Sequence, residues 1–277
     1  MMIKHLQDRV TLNNGVEMPG FGLGVYKVQD GRTVKEAVKI AIKHGYRSID
    51  TASFYDNETG VGEAIRESGV ARNELFITTK VWNDQQGYER TMQAFEDSME
   101  KLGLEYLDLY LIHWPVKGLY KETWRAMEKL YKDGRVRAIG VSNFHQHHLE
   151  DLMRGSTVKP VIDQVEYHPH LTQQELHHYC KSKSIQLEAW SPLKRGGLIE
   201  DATLTEIGKK YGKSAAQIIL RWDLQNDVIT IPKSTKEERI IENAAIFDFS
   251  LTEGEMKQIS SLNKNERSGS NPDSYDA

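Results

Sequence analysis

Short runs of almost entirely apolar residues alternate along the chain with longer stretches in which apolar residues return every three or four positions. The first kind reads as buried strand, the second as amphipathic helix. The opening segment "RVTLNNGVEMPG" predicts a β-hairpin turning at Asn13-Asn14-Gly15. Strand-like runs then fall at 21–25, 47–52, 75–81, 107–113, 136–143, 161–168, 186–193 and 228–234. Helical patterns lie between them, among them 33–45 (with Gly45 as C-cap), 88–103 and 120–134. Thr172, Thr203, Ser214 and Thr252 each precede Glu or Gln by three residues, the spacing of a capping box at a helix start. Eight strands in alternation with helices predict an α/β fold, a (β/α)8 TIM barrel whose closed end the hairpin covers; a doubly wound sheet is the alternative. No Pro-, Gly- or Ser-rich linker divides the series, so residues 1–277 are expected to form one domain.

Composition narrows the setting. Of 277 residues 39% are hydrophobic, enough for a sizeable core. The net charge of −4 offers no basic field for nucleic acid. No apolar run approaches the ~20 residues that span a bilayer, and the first residues lack the apolar region of an export signal. A lone Cys180, in a helical pattern, excludes an internal disulfide and reads as a packing residue. A cytoplasmic monomer is expected. Histidines cluster at 145–150, 168–170 and 177–178, but none has a carboxylate or cysteine partner at ligand spacing, so no metal is expected.

The chemistry collects where apolar runs end, the place where a barrel carries its active site. Asp50 closes the second run and Tyr55 follows in its loop; Lys80 lies near the end of the third and His113 at the end of the fourth. A buried salt bridge with a hydrogen-bonded Tyr and His is one reading, since an unpaired Lys or Asp would be costly to bury. A proton-donating site is the other. The ammonium of Lys80 would lower the pKa of Tyr55 from about 10, Asp50 would orient Lys80, and His113 would align a substrate oxygen. A phenol protonating a carbonyl oxygen requires a hydride from elsewhere, and a cofactor is the natural source.

The segments "DTASFYDNETGVGEAI", "ITTKVW", "LYLIHWP", "GVSNF", "EAWSPL" and "IPKSTKEERIIEN" resemble, in that order, the signature segments of the aldo-keto reductase superfamily. The likeness covers nearly the whole chain and is greatest to bacterial members that reduce diketogluconate and glyoxals. It implies a (β/α)8 barrel, NADPH as cofactor, reduction of a small-molecule carbonyl substrate, and an Asp50–Tyr55–Lys80–His113 tetrad with Tyr55 as general acid. A non-catalytic nicotinamide-binding sensor and a Schiff-base lyase using Lys80 are the alternatives.

The cofactor's place follows from the same two sources. No G-x-G-x-x-G opens a helix, which argues against a Rossmann domain. In "IPKSTKEER", Lys233, a capping Ser234 or Thr235, and Arg239 could form a phosphate cradle at a helix N-terminus, or an ordinary capped helix with solvated charges. The resemblance places the 2′-phosphate of NADPH at Lys233, Ser234 and Arg239, and Glu242 and Asn243 toward the adenine. It sets Ser142, Asn143 and Gln164 at the carboxamide, whose donor and acceptor they could meet. It stacks Trp190 on the nicotinamide, continues through Ser191 and Leu193 toward the pyrophosphate, and brings Val25 and Tyr26 to the cofactor. Tyr26, Phe54, Trp82 and Trp114 flank strand ends and are expected to line an apolar substrate pocket. The short polar tail after Asn265 is expected to leave that pocket open.

Overall fold

Alternation along each strand, with successive side chains pointing to opposite faces, sorts the apolar residues into two cores. The computed structural model describes residues 3–275. Eight parallel strands run β3 (Leu23–Gly24), β4 (Ser48–Asp50), β5 (Phe76–Val81), β6 (Leu107–Ile112), β7 (Val136–Ser142), β8 (Ile162–Glu166), β9 (Gln186–Trp190) and β10 (Ile229–Thr230), each paired with the next. A parallel bridge between Phe21 and Thr230 joins the last strand back to the first and closes the (β/α)8 barrel. Before it, β1 (Arg9–Thr11) and β2 (Glu17–Pro19) form the antiparallel hairpin, turning at Gly15 with φ 83.

Among the described residues ten α-helices wrap the sheet: α1 (Arg32–Lys43), α2 (Glu58–Glu67), α3 (Tyr88–Leu102), α4 (Tyr120–Lys132), α5 (Gln146–Met153), α6 (Gln174–Ser182), α7 (Ala202–Tyr211), α8 (Ala215–Gln225), α9 (Glu237–Ala244) and α10 (Glu253–Ser260). Outward-facing strand residues such as Ile77, Tyr110 and Val141 pack with the helices. Inward-facing Phe76, Leu109, Leu111, Ala138 and Ile162 fill the barrel, and Leu12 and Met18 of the hairpin plug its lower end. The hairpin is pinned there by its turn. Asn13 Nδ2 donates to the carbonyls of Pro160 and Ser184, and Asn14 Nδ2 to that of Arg137. Gly140 belongs to this interior: a Cβ on it would come within 2.5 Å of the Ile162 side chain.

Two of the four predicted capping boxes form, at Ser214–Gln217 and Thr252–Glu255. Asp201, earlier than Thr203, caps α7, and α6 starts after Gln173 in a left-handed conformation with no side-chain cap. A two-residue shift of the first turn is enough to move a box out of register. Cys180 is fully buried on α6, and burial pushes its thiol well up, as befits a packing residue.

Candidate active site

The inward face of the strands turns polar toward the C-terminal rim. On β5, Phe76, Thr78 and Lys80 take alternate positions, and the register Asp50↔Thr78 sets β4's carboxylate beside the lysine. Lys80 is fully buried. Its ammonium donates to Asp50 Oδ1 at 2.5 Å, to the Thr51 carbonyl at 3.0 Å and to Tyr55 Oη at 3.3 Å, so each of its hydrogens has an acceptor. After Asp50 the chain makes a short 3-10 turn, Ser53–Tyr55, held from below by buried Asn57. Asn57 Nδ2 donates to the carbonyls of Val25 and Val28, and its Oδ1 accepts from Thr51 Oγ1. That pinned loop delivers the phenol to the ammonium.

The electrostatics differ from the expectation for Tyr55. Burial pushes its hydroxyl up, to about 12; Lys80 pulls the other way and Asp50 adds to the rise. Desolvation of a phenolate therefore outweighs the single nearby cation. Lys80 itself is raised: burial opposes its charge, but Asp50 and Tyr55 together prevail. His113 is pushed well below its ordinary value, by burial first and Lys80 second, so its imidazole is neutral. It meets Tyr55 edge-on, ring centres 5.6 Å apart, and Nδ1 has no hydrogen-bond partner among the described residues.

Gln164, expected at the carboxamide, and Glu188, which carried no sequence signal, extend this network. Gln164 Nε2 donates to Asp50 Oδ2 at 2.7 Å and to Glu188 Oε2 at 2.8 Å, bridging two buried carboxylates. Burial, then Asp50, raises Glu188 to about 8. Glu188 sits inside "QLEAW", where only the strand's inward parity could have marked it.

Above the tetrad lies a cavity of about 1020 Å³. Asp50, Tyr55 and His113 form its floor, and Tyr26, Phe54, Trp82 and Trp114 part of its wall. Phe54 stacks on Trp82 with centroids 3.7 Å apart, and Trp82 meets His113 edge-on. At the β7–β9 side, Asn143 Nδ2 donates to the His113 carbonyl and to Ser142 Oγ, while its Oδ1 accepts from Trp190 Nε1 at 2.8 Å. Ser142, Asn143, Gln164, Trp190, Ser191 and Leu193 all line the cavity. So do Lys233, Ser234, Thr235, Arg239, Glu242 and Asn243 at its far end. Val25 does not: it is fully buried, its N–H donates to the Asp50 carbonyl, and its neighbours Gly24 and Tyr26 reach the wall instead. Lys27, Asn143, Ser191 and Arg195 line the cavity with positive φ, the kind of backbone strain that gathers at ligand sites.

Ser234 does not cap α9; its hydroxyl accepts from the Lys236 N–H in a local turn. The N-terminus of α9 carries no side-chain cap and opens beside exposed Lys233 and Arg239. The C-terminal tail also departs from expectation. Buried Glu166 accepts from the Ser268 N–H and hydroxyl and from the Gly269 N–H, and ties down a strap that places Ser268, Gly269, Ser270 and Tyr275 in the wall. Gly269 lies so close to Trp190 that a Cβ would approach the indole to 2.5 Å. Tyr275 stacks on Trp114 at 4.3 Å. Burial opposes the Glu166 charge, but bonds from His168, Ser268 and Gly269 hold it at about 2. The small polar residues of the strap gave no hint that one buried carboxylate would gather them.

The barrel mouth joins a buried Asp–Lys–Tyr chain to a neutral His and, at its far side, an uncapped helix N-terminus beside two exposed cations, and the family match makes the chain an oxidoreductase. Residues 20–264 match the Aldo/keto reductase family, and the chain belongs to it. It is 65% identical over 268 residues to glyoxal reductase of Bacillus subtilis (strain 168), covering 97% of each chain. Among solved structures it is similar to MGS-M4, an aldo-keto reductase enzyme from a Medee basin deep-sea metagenome library. There the TM-score is 0.94 at 46% identity, over 97% of this chain and 100% of that one. It is also similar to the Bombyx mori aldo-keto reductase AKR2E4 in complex with NADP, with a TM-score of 0.91 at 38% identity, over 98% of this chain and 97% of that one.

Proposed function

We propose that the protein reduces small aldehydes and ketones with NADPH, with Tyr55 as proton donor. The observation that carries this reading is the ammonium of Lys80 held between Asp50 Oδ1 and Tyr55 Oη beneath an aromatic-walled cavity. The cavity fits the cofactor. Its far end offers an uncapped helix N-terminus with Lys233, Ser234, Thr235 and Arg239 for phosphate. Glu242 and Asn243 would flank the adenine, Ser142, Asn143 and Gln164 would hold the carboxamide, and Trp190 the ring face. Bound there, the reduced nicotinamide would supply hydride chemistry.

The chain's own residues handle the proton. A phenol raised to about 12 stays protonated at neutral pH, which is the form a reduction consumes. The alkoxide developing on the substrate oxygen is a stronger base than a phenolate, so the high value does not prevent the transfer. Lys80, still a cation, offsets the negative charge left on Tyr55 Oη. Neutral His113 can donate an N–H to the substrate oxygen without adding a competing charge. The stacked Phe54 and Trp82 would give that step an apolar wall.

A Schiff-base lyase needs a free neutral amine, whereas Lys80 is buried, raised, and has an acceptor for each hydrogen. Small dicarbonyls such as glyoxal and methylglyoxal, or diketogluconate, are the substrates we favour; the 65% identity to a glyoxal reductase supports the first of these. We further propose a single domain and a cytoplasmic monomer, a setting that suits a lone buried thiol. The test is Tyr55→Phe. Reduction of methylglyoxal should fall about 10²–10⁴-fold, with NADPH affinity by fluorescence titration unchanged. Turnover within a few fold of the parent would remove Tyr55 from its role.

A further inference from the structure

The histidines of "HQHHLE" lack a ligand partner nearby in sequence, but the fold brings one from far along the chain. Asp273, in the C-terminal strap, lies against His145, His147 and His148 at the start of α5. His145 Nδ1 is 2.9 Å from Asp273 Oδ2; His147 Nε2 and His148 Nε2 are 3.0 Å and 3.7 Å from Oδ1. One donor atom from each of the four residues lies within 4.8 Å of all the others. Ligands about 2.0–2.2 Å from a tetrahedral ion stand roughly 3.3–3.5 Å from one another. To admit one, the 2.9 and 3.0 Å imidazole–carboxylate pairs would open by some tenths of an ångström, and any wider pair, up to the 4.8 Å that bounds the cluster, would close.

We infer that this cluster is a binding site for a divalent first-row transition ion of the zinc, nickel or copper type, with His145 Nδ1, His147 Nε2 and an Asp273 oxygen as its ligands. Imidazole nitrogens with a single carboxylate suit these ions; magnesium and calcium ask for more oxygen. Hydrogen bonds already present sort the roles. His148 Nδ1 accepts the His145 backbone N–H at 3.1 Å and so holds the cap of α5, which leaves the fourth position to water. Arg267 Nη2 is 3.1 Å from His145 Nε2. When the ion takes Nδ1, the one ring proton moves to Nε2, and Arg267 turns to Gln173 Oε1, 3.5 Å away in the present arrangement. His145 stays neutral throughout.

The site has a structural consequence, because Asp273 belongs to the strap that carries Ser268, Gly269 and Tyr275 into the cavity wall. An ion there would fasten the strap to the barrel at a second point beyond Glu166.

The experiment is a calorimetric titration of the full-length protein, stripped by chelator, with zinc chloride and separately with magnesium chloride. Stoichiometric zinc binding and no magnesium binding are expected. His147 and Asp273 have half-exposed or exposed side chains, so His147→Ala and Asp273→Asn should fold, and each should weaken zinc about 10-fold or more. His44→Ala, a histidine on another face paired with Glu237, should leave the affinity unchanged. Zinc should also slow hydrogen exchange in residues 268–275 of the parent but not of Asp273→Asn. No zinc binding, an affinity equal to the parent's in both ligand variants, or slowing in Asp273→Asn equal to the parent's would overturn the site.

Discussion

At the β4–β6 end of the cavity the charges are answered before any ligand arrives: Lys80 has three acceptors, Asp50 has Lys80 and Gln164, and the loop carrying Tyr55 is pinned by Asn57. At the β10–α9 end, Lys233 and Arg239 are exposed and the helix N-terminus is uncapped. The first arrangement fits a step that must not wait for reorganisation. The second fits recognition, in which the ligand itself completes the site. The same contrast sets how each end should respond to mutation: the first through stability and rate together, the second through affinity alone.

The largest effect is expected from Lys80→Met, which leaves Asp50 buried without its cation. Stability measured by urea denaturation should fall by about 3–5 kcal/mol, with reductase activity lost as well. A variant as stable as the parent would mean that this end is less preorganised than its hydrogen bonds imply. Next comes Arg239→Ala. Losing one hydrogen bond to a charged group, worth about 1.5–3 kcal/mol, should raise KM for NADPH while kcat and the melting curve stay near the parent's. Equal loss with NADH would detach Arg239 from the 2′-phosphate.

Tyr275→Ala probes the wall between the two ends. Removing its stack on Trp114, about 0.5–1.5 kcal/mol for an aromatic pair, should lower kcat/KM for aromatic aldehydes several-fold and spare methylglyoxal. The smallest effect is expected from Glu188→Gln, at the low end of the ~0.5–3 kcal/mol seen between residues in contact. Its signature is the shape of the pH profile. Glu188 is neutral below about 8 and charged above it. A second negative charge beside Asp50 then strengthens the hold on the Lys80 cation and raises Tyr55 further. The parent should show an inflection near pH 8 in kcat/KM that the variant lacks; identical profiles would remove Glu188 from the network.

The preorganised end was legible in the sequence for a physical reason: Asp50, Lys80 and His113 are polar residues at the ends of apolar runs, where burial forces them to find one another. The eight strands were legible because a buried parallel sheet leaves unbroken apolar runs. The exposed end was half legible. Its cations could be named, but whether Ser234 would cap α9 depended on a local turn that competes for the same hydroxyl. Glu188 and the strap were not legible. Their contacts, Gln164 to Glu188 and Glu166 to Ser268, depend on barrel parity and on a 102-residue sequence separation that no local pattern encodes. The sign of the Tyr55 shift was missed because charge could be read from the sequence and the degree of desolvation could not.

The zero exposure of Lys80 has a practical side. Acylating reagents that derivatise surface amines, as used to attach enzymes to beads, cannot reach it, whereas exposed Lys233 is open to them. On the function proposed above, immobilisation through lysines should leave the Asp50–Lys80–Tyr55 network intact and damage cofactor capture at Lys233 first, and NADP+ present during the coupling should protect against that damage.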